Sequence, residues 1–229
     1  MAQPSRWCEQ RQEFSLECDM KKLIVSFLVI AGLASVANAA GNAEDGEALT
    51  AVCASCHGTD GNSPLANFPK LAGQGEKYLT KQLHDIKSGN RVVIEMTGLL
   101  APYSDQQLED ISAYYASQSV QVGEADPALV ELGEALYKAG NASTGVPACA
   151  GCHSPTGAGI ALGGFPMLSG QHAEYTISSL TKFQKGYRFK EPAADIRVND
   201  GEAMIMRSIA FNLKDFEIEA LASYIQGLH

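Results

Sequence analysis

Two five-residue strings, Cys53-Ala-Ser-Cys56-His57 and Cys149-Ala-Gly-Cys152-His153, hold the residues best equipped for chemistry in this 229-residue chain. Each reads Cys-x-x-Cys-His. Two thiols one helical turn apart can each bond one vinyl group of a porphyrin, and the histidine that follows lies under the iron and offers one axial nitrogen. The pattern predicts two covalently attached haem c groups on Cys53, Cys56, Cys149 and Cys152, with His57 and His153 as axial ligands. Other readings explain less. A redox dithiol belongs in a strand–helix–strand context that neither copy shows. A four-cysteine zinc site needs its pairs closer than the roughly ninety residues that separate these. Neither reading gives a histidine reason to follow both pairs.

An iron with one histidine needs a second ligand or stays open, and that choice separates electron carriers from catalysts. Beyond His57 and His153 only His84, His172 and His229 remain. His84 and His172 have no counterpart in the other copy and read as exposed helix or loop residues. Methionine fits better, because its soft thioether bonds Fe(II) well and raises the reduction potential. The first motif is followed by one methionine, Met96, before the second motif begins; the second is followed by Met167, Met204 and Met206.

An internal repeat chooses among them. Phe68-Pro69-Lys70-Leu71 recurs as Phe165-Pro166-Met167-Leu168, Gly73-Gln74 as Gly170-Gln171, and Tyr78 as Tyr175, all at an offset of 97. Upstream, Gly46-Glu47-Ala48-Leu49 recurs as Gly133-Glu134-Ala135-Leu136. Each copy reads as helix, motif, loop, helix, loop, helix, with the first helix running from Ala43 to about Ser55. The middle helix carries Tyr78, Leu79, Leu83 and Ile86 at helical spacing, and its twin Tyr175, Leu180 and Phe183. The last helix of copy one starts at Ser104, with Gln107 three residues on as a capping box. Its inner face is Leu108, Ile111, Tyr114 and Tyr115, matched at an offset of 110 by Ile218, Leu221, Tyr224 and Ile225. That register sets Met96 on Met206, leaves Met204 two residues out, and puts Met167 opposite Lys70. Met96 and Met206 are therefore the expected sixth ligands, and Met167 and Met204 read as flexible core filler. No segment argues for a strand, and Ser117 to Pro127 reads as a linker. Pro69 and Pro166 fit two roles: plain loop prolines, or carbonyls that hold the two imidazoles in one orientation.

The N-terminus and composition bound the setting. Lys21 and Lys22 precede an apolar run from Leu23 to about Ala37, and Ala37-Asn38-Ala39 offers a small-x-small cleavage pattern. Residues 1–39 are expected to be a leader with a cleaved signal peptide, its true start at Met20; a retained membrane anchor is the other reading of the run. Removing the leader takes Cys8 and Cys18 with it and leaves only the four motif cysteines, which suits an oxidising compartment. The remaining length is enough for two small domains, 40–119 and 120–229. A net charge of −9 argues against nucleic acid. It favours either a partner with a basic docking patch or plain solubility.

The residues resemble the cytochrome c4 family, dihaem class I cytochromes c of bacterial respiratory chains. The resemblance rests on Cys53–His57 followed by Gly58 and Asp60-Gly61-Asn62-Ser63-Pro64, on Phe68–Gln74, and on Glu95-Met96-Thr97-Gly98. In copy two it rests on Pro147-Ala148-Cys149, Met204-Ile205-Met206-Arg207 and the final Ser223-Tyr224-Ile225-Gln226-Gly227-Leu228-His229. It implies an all-α fold of two tandem cytochrome c domains related by a pseudo-two-fold axis, their haems facing each other and exchanging electrons. It also implies a periplasmic monomer, loosely associated with the membrane, that carries electrons from a quinol-oxidising complex toward terminal oxidases. The family's ligand positions match Cys53, Cys56, His57, Met96, Cys149, Cys152, His153 and Met206. Two departures stand beside the match: the stretch Gly89 to Met96 is short, and copy two has 13 more residues between Gly186 and Met206 than copy one has in the same interval. The expected function is electron transfer and not enzymatic catalysis. The alternative is a dihaem cytochrome subunit of an enzyme such as a flavin-dependent sulfide dehydrogenase. A dihaem peroxidase would need one open iron.

Overall fold

A computed structural model of the chain describes residues 41–229, so the expected leader lies outside the described residues. Helices dominate, and among the described residues the only extended pairings are three isolated bridges. None of the described helices is long and apolar enough to cross a membrane.

Copy one comprises α1 (Ala43–Leu49), α2 (Ala51–His57), α3 (Glu76–Ser88), a short 3₁₀ turn (Ile94–Met96) and α4 (Asp105–Ser117). The expected single first helix is broken at Thr50. The Thr50 hydroxyl donates to the Glu47 carbonyl at 2.8 Å, a local bond that competes with the helical ladder and turns the chain. The expected capping box at Ser104 is present: Ser104 Oγ accepts from Gln107 N at 3.2 Å, and Gln107 Oε1 accepts from Ser104 N at 2.8 Å. The stripe of α4 buries Leu108, Ile111 and Tyr115, and Tyr114 is only half-buried. Leu79 of α3 joins Ile111 and Tyr115 in the core, with Cys53 and Leu71 packed against it.

Copy two repeats the plan with α5 (Val130–Ala139), α6 (Ala150–His153), α7 (Ala173–Gly186), α8 (Ile205–Phe211) and α9 (Asp215–Gly227). Its core gathers Leu136, Tyr137, Ile218, Leu221 and Ile225, with Cys149 and Leu168 against them. The linker has no regular structure between α4 and Pro127, yet both copies hold it. Gln121 N donates to Asn62 Oδ1 at 2.8 Å, and Gly123 N donates to Gln226 O at 3.0 Å.

The first and last helices of each copy cross at matched glycines. A Cβ on Gly46 would stand 2.0 Å from the Asp110 carbonyl oxygen, and one on Gly133 would stand 2.3 Å from that of Ala220. Both contacts are to helical backbone, which cannot rotate away. Alanine in a helix interior normally gains roughly 1 kcal/mol over glycine. Here the sign reverses: Gly46→Ala or Gly133→Ala is expected to cost about 1–3 kcal/mol, the scale of core overpacking, read as a lower denaturation midpoint of the haem-loaded protein.

Candidate metal centres

The motif cysteines sit where the helix geometry places them. Cys53 and Cys56 are three residues apart on α2, one turn along the same face. α2 ends at His57, and Gly58, at φ +78°, swings the chain away. In copy two the shorter α6 ends at His153, and Ser154 takes the same left-handed turn at φ +67°. None of the four described cysteines is paired in a disulfide. Burial pushes the Cys53 thiol up and the Cys149 thiol up to about 11. Among the described residues no three His, Cys, Asp or Glu side chains converge as a bare-metal site would require.

Both imidazoles are buried and held alike. His57 Nδ1 donates to the Pro69 carbonyl at 2.9 Å, and His153 Nδ1 donates to the Pro166 carbonyl at 2.9 Å. Of the two roles open to these prolines, the orienting one is thus realised. A ring that gives its Nδ1 proton to a carbonyl keeps its lone pair on Nε2, the tautomer a metal needs. Burial pushes both histidines below their ordinary range, which keeps them neutral. Phe68 stands edge-on to His57 with ring centres 6.1 Å apart, and Phe165 edge-on to His153 at 6.4 Å. The loop bearing each proline is pinned to the glycine turn after the motif. Leu71 N donates to Gly61 O at 2.7 Å, and Leu168 N to Gly157 O at 2.7 Å.

The methionines differ in their surroundings. Met96 ends the 3₁₀ turn and Met206 is the second residue of α8; both are half-buried. Met204 caps α8 in a left-handed conformation, φ +49°. Met167 lies at the junction of the copies, its side chain 3.3 Å from where a Cβ on Gly73 would sit. The start of α8 is anchored by an ion pair that sequence reasoning missed. Arg207 Nε meets Asp200 Oδ1 at 2.6 Å, and Arg207 N donates to Asp200 Oδ2 at 2.9 Å. Asp200 lies in the longer loop of copy two, which has no counterpart against which to read it. His172 was also misread. It is half-buried, and its Nε2 donates across the copies to the Ser63 carbonyl at 2.9 Å. His84 lies on α3, 3.7 Å from Asp105.

The copies meet through paired, reciprocal contacts, the signature of a two-fold relation. Arg91 Nη2 reaches the Tyr175 hydroxyl at 3.0 Å, and Arg197 Nη2 reaches the Tyr78 hydroxyl at 2.9 Å. Gln82 Oε1 accepts from Arg91, Arg197 and Asn199 at 2.9, 3.0 and 2.9 Å. Arg197 is 7 % exposed, and its guanidinium lies over the Phe183 ring, 4.4 Å from the centroid. Among the described residues neither Arg91 nor Arg197 pairs with a carboxylate. Burial works to raise the Tyr175 hydroxyl, but the two guanidiniums outweigh it and pull that group well below its usual range. A buried cation is costly unless an anion meets it. Such a cluster would suit haem propionates, as the thiols and imidazole of each motif would suit the porphyrin and its iron.

The chain is similar to known proteins. Residues 43–119 and 130–229 each match the family model described as cytochrome c. The chain is 58 % identical over 210 residues to cytochrome c4 of Pseudomonas aeruginosa, spanning 92 % of this chain and 100 % of that protein. It is 32 % identical over 180 residues to the thiosulfate dehydrogenase electron acceptor of Thiomonas intermedia, spanning 76 % of this chain and 77 % of that protein. Among solved structures, reduced recombinant cytochrome c4 from Pseudomonas stutzeri is similar with a TM-score of 0.78 and 56 % identity, over 83 % of this chain and 100 % of that one.

Proposed function

The chain belongs to the cytochrome c4 family, and from that premise we propose that it is a periplasmic carrier that takes electrons from a quinol-oxidising complex and gives them to terminal oxidases, without catalysis of its own. It is a dihaem electron-transfer protein with two covalently bound haem c groups. Haem iron supplies a one-electron Fe(III)/Fe(II) couple. In this reading the chain's residues hold and close the sites. Cys53, Cys56, Cys149 and Cys152 anchor the porphyrins. His57 and His153 each present Nε2 while Nδ1 stays tied to a proline carbonyl. Met96 and Met206 would complete the coordination of the two irons, and Arg91 and Arg197 would offset the propionate charge.

The observation that supports the reading is the matched methionine in each copy, Met96 and Met206, which would leave neither iron open to a substrate. Spectroscopy of the oxidised protein tests it: low-spin iron with a Met–Fe(III) charge-transfer band at both haems is expected. High-spin iron, or peroxidase activity in the unaltered protein, overturns it. The acidic chain favours a basic docking partner, and such association weakens as salt rises. Rapid, salt-sensitive oxidation by a terminal-oxidase membrane preparation is the expected partner result.

A second reading, a dihaem cytochrome subunit serving an enzyme such as a flavin-dependent sulfide dehydrogenase, has support in the likeness to the thiosulfate dehydrogenase electron acceptor. Co-purification with a flavoprotein or a thiosulfate-oxidising enzyme, together with slow oxidation by the terminal oxidase, would favour it over the carrier.

A further inference from the structure

The repeated glutamines, Gln74 and Gln171, do not face their own motifs. Each is buried and reaches into the opposite copy, where its side-chain amide grips one residue of backbone at both ends. Gln171 Oε1 accepts from Lys70 N at 2.9 Å while Gln171 Nε2 donates to Lys70 O at 3.0 Å. Gln74 Oε1 accepts from Met167 N at 2.7 Å while Gln74 Nε2 donates to Met167 O at 3.0 Å. Lys70 and Met167 directly follow Pro69 and Pro166. The amide N–H gripped by each glutamine therefore belongs to the same peptide group whose carbonyl accepts the histidine proton.

We propose that Gln74 and Gln171 are positioning residues that each tune the haem of the opposite copy, through the peptide group that holds that haem's histidine. The inference rests on His57 and His153 as axial ligands. Two chains of hydrogen bonds cross the junction. One runs from His57 through the Pro69–Lys70 peptide to Gln171, and the other from His153 through the Pro166–Met167 peptide to Gln74. A peptide whose N–H is engaged becomes a better acceptor at its oxygen, since hydrogen bonds in series polarise one another by roughly 10–30 % per bond. A better acceptor draws the Nδ1 proton further from the imidazole and makes the ring more electron-rich. An electron-rich ligand favours Fe(III), so each glutamine lowers the potential of the far haem. Gln74 and Gln171 are 5 % and 8 % exposed, so little water can stand in for the lost partner.

The test uses the haem-loaded protein with histidine labelled by ¹⁵N. The Nδ1–H resonances of both ligands are read in the diamagnetic ferrous state, and each haem is titrated separately. Gln74→Met keeps the length of the side chain but loses both bonds. It is expected to raise the potential of the His153 haem, changing its Fe(III)/Fe(II) equilibrium three- to tenfold, tenfold being 59 mV for one electron. The His153 Nδ1–H resonance moves upfield, and that of His57 stays. Gln171→Met gives the mirror result at His57. Gln74→Glu keeps an acceptor that pulls harder on Met167 N, and should move His153 Nδ1–H downfield and its haem potential down. This variant also decides the matter should the methionine variants not fold. Equal shifts at both haems in each variant, or ligand resonances that do not move, overturn the relay and leave the glutamines as interface ties alone. Loss of the Met–Fe(III) band in the unaltered protein would strike the methionine assignment instead, while the relay is still judged at the histidines.

Discussion

Met206→Ala is expected to remove the Met–Fe(III) charge-transfer band of one haem, leave the other haem's band in place, and produce high-spin ferric iron that binds cyanide, azide or water. Alanine has no donor atom, and no other methionine stands in register to replace it: Met204 is two residues away in a left-handed cap, and Met167 lies at the junction of the copies. The potential of the opened haem should fall, because a thioether ligand raises it, and axial ligation spans roughly 0.8 V across haem proteins. Peroxidase activity absent from the unaltered protein should appear. Met96→Ala should do the same to the other haem. Met204→Ala is the control: it removes that thioether, keeps a Cβ in the same left-handed cap and should leave both bands intact. Loss of a band in that variant would move the ligand from 206 to 204.

Asp200→Ala should be the most destabilising single change in the longer loop of copy two. The Asp200–Arg207 pair is nearly sealed from water, with side chains 6 % and 8 % exposed. Arg207 also donates through Nη2 to the Gly201 carbonyl at 2.9 Å, so its side chain cannot swing out without breaking two bonds. Deleting one partner of a buried pair leaves an uncompensated charge and costs about 3–5 kcal/mol. Chemical denaturation followed by helical circular dichroism measures this. Because Arg207 directly follows Met206, the Met206 charge-transfer band should also bleach at a lower temperature than the Met96 band. Asp200→Asn keeps an acceptor for the backbone N–H and should lose less. A loss below about 1 kcal/mol in Asp200→Ala would place the pair among the weakly contributing surface pairs.

The parts of the sites that recur in the sequence were the parts that could be read from it. The motif helices, the proline loops and the last helices obey one offset or another, so one copy checks the other. The capping box at Ser104 and the buried faces of α4 and α9 follow from spacing alone. What escaped was either unmatched or made of main chain. Thr50 breaks the first helix through a side-chain bond to a carbonyl that no apolar pattern reports. Asp200 sits in a loop without a twin. Tyr78 and Tyr175 were counted into apolar stripes, yet their hydroxyls meet guanidiniums from the other copy. The glutamines were visible as repeats, but their partners are backbone groups 93 and 101 residues away in sequence, and backbone has no letter.

A junction built from main chain leaves the two halves of a doubled gene room to diverge. The junction is stitched through peptide groups at positions 70 and 167, which a residue of either kind supplies. The side chains there have in fact parted company: one is a lysine whose ammonium caps the Gln121 carbonyl, the other a methionine tucked beside Gly73. Drift at such positions alters the local electrical landscape of one half while the halves stay joined, giving a symmetric ancestor a route to two unequal redox centres.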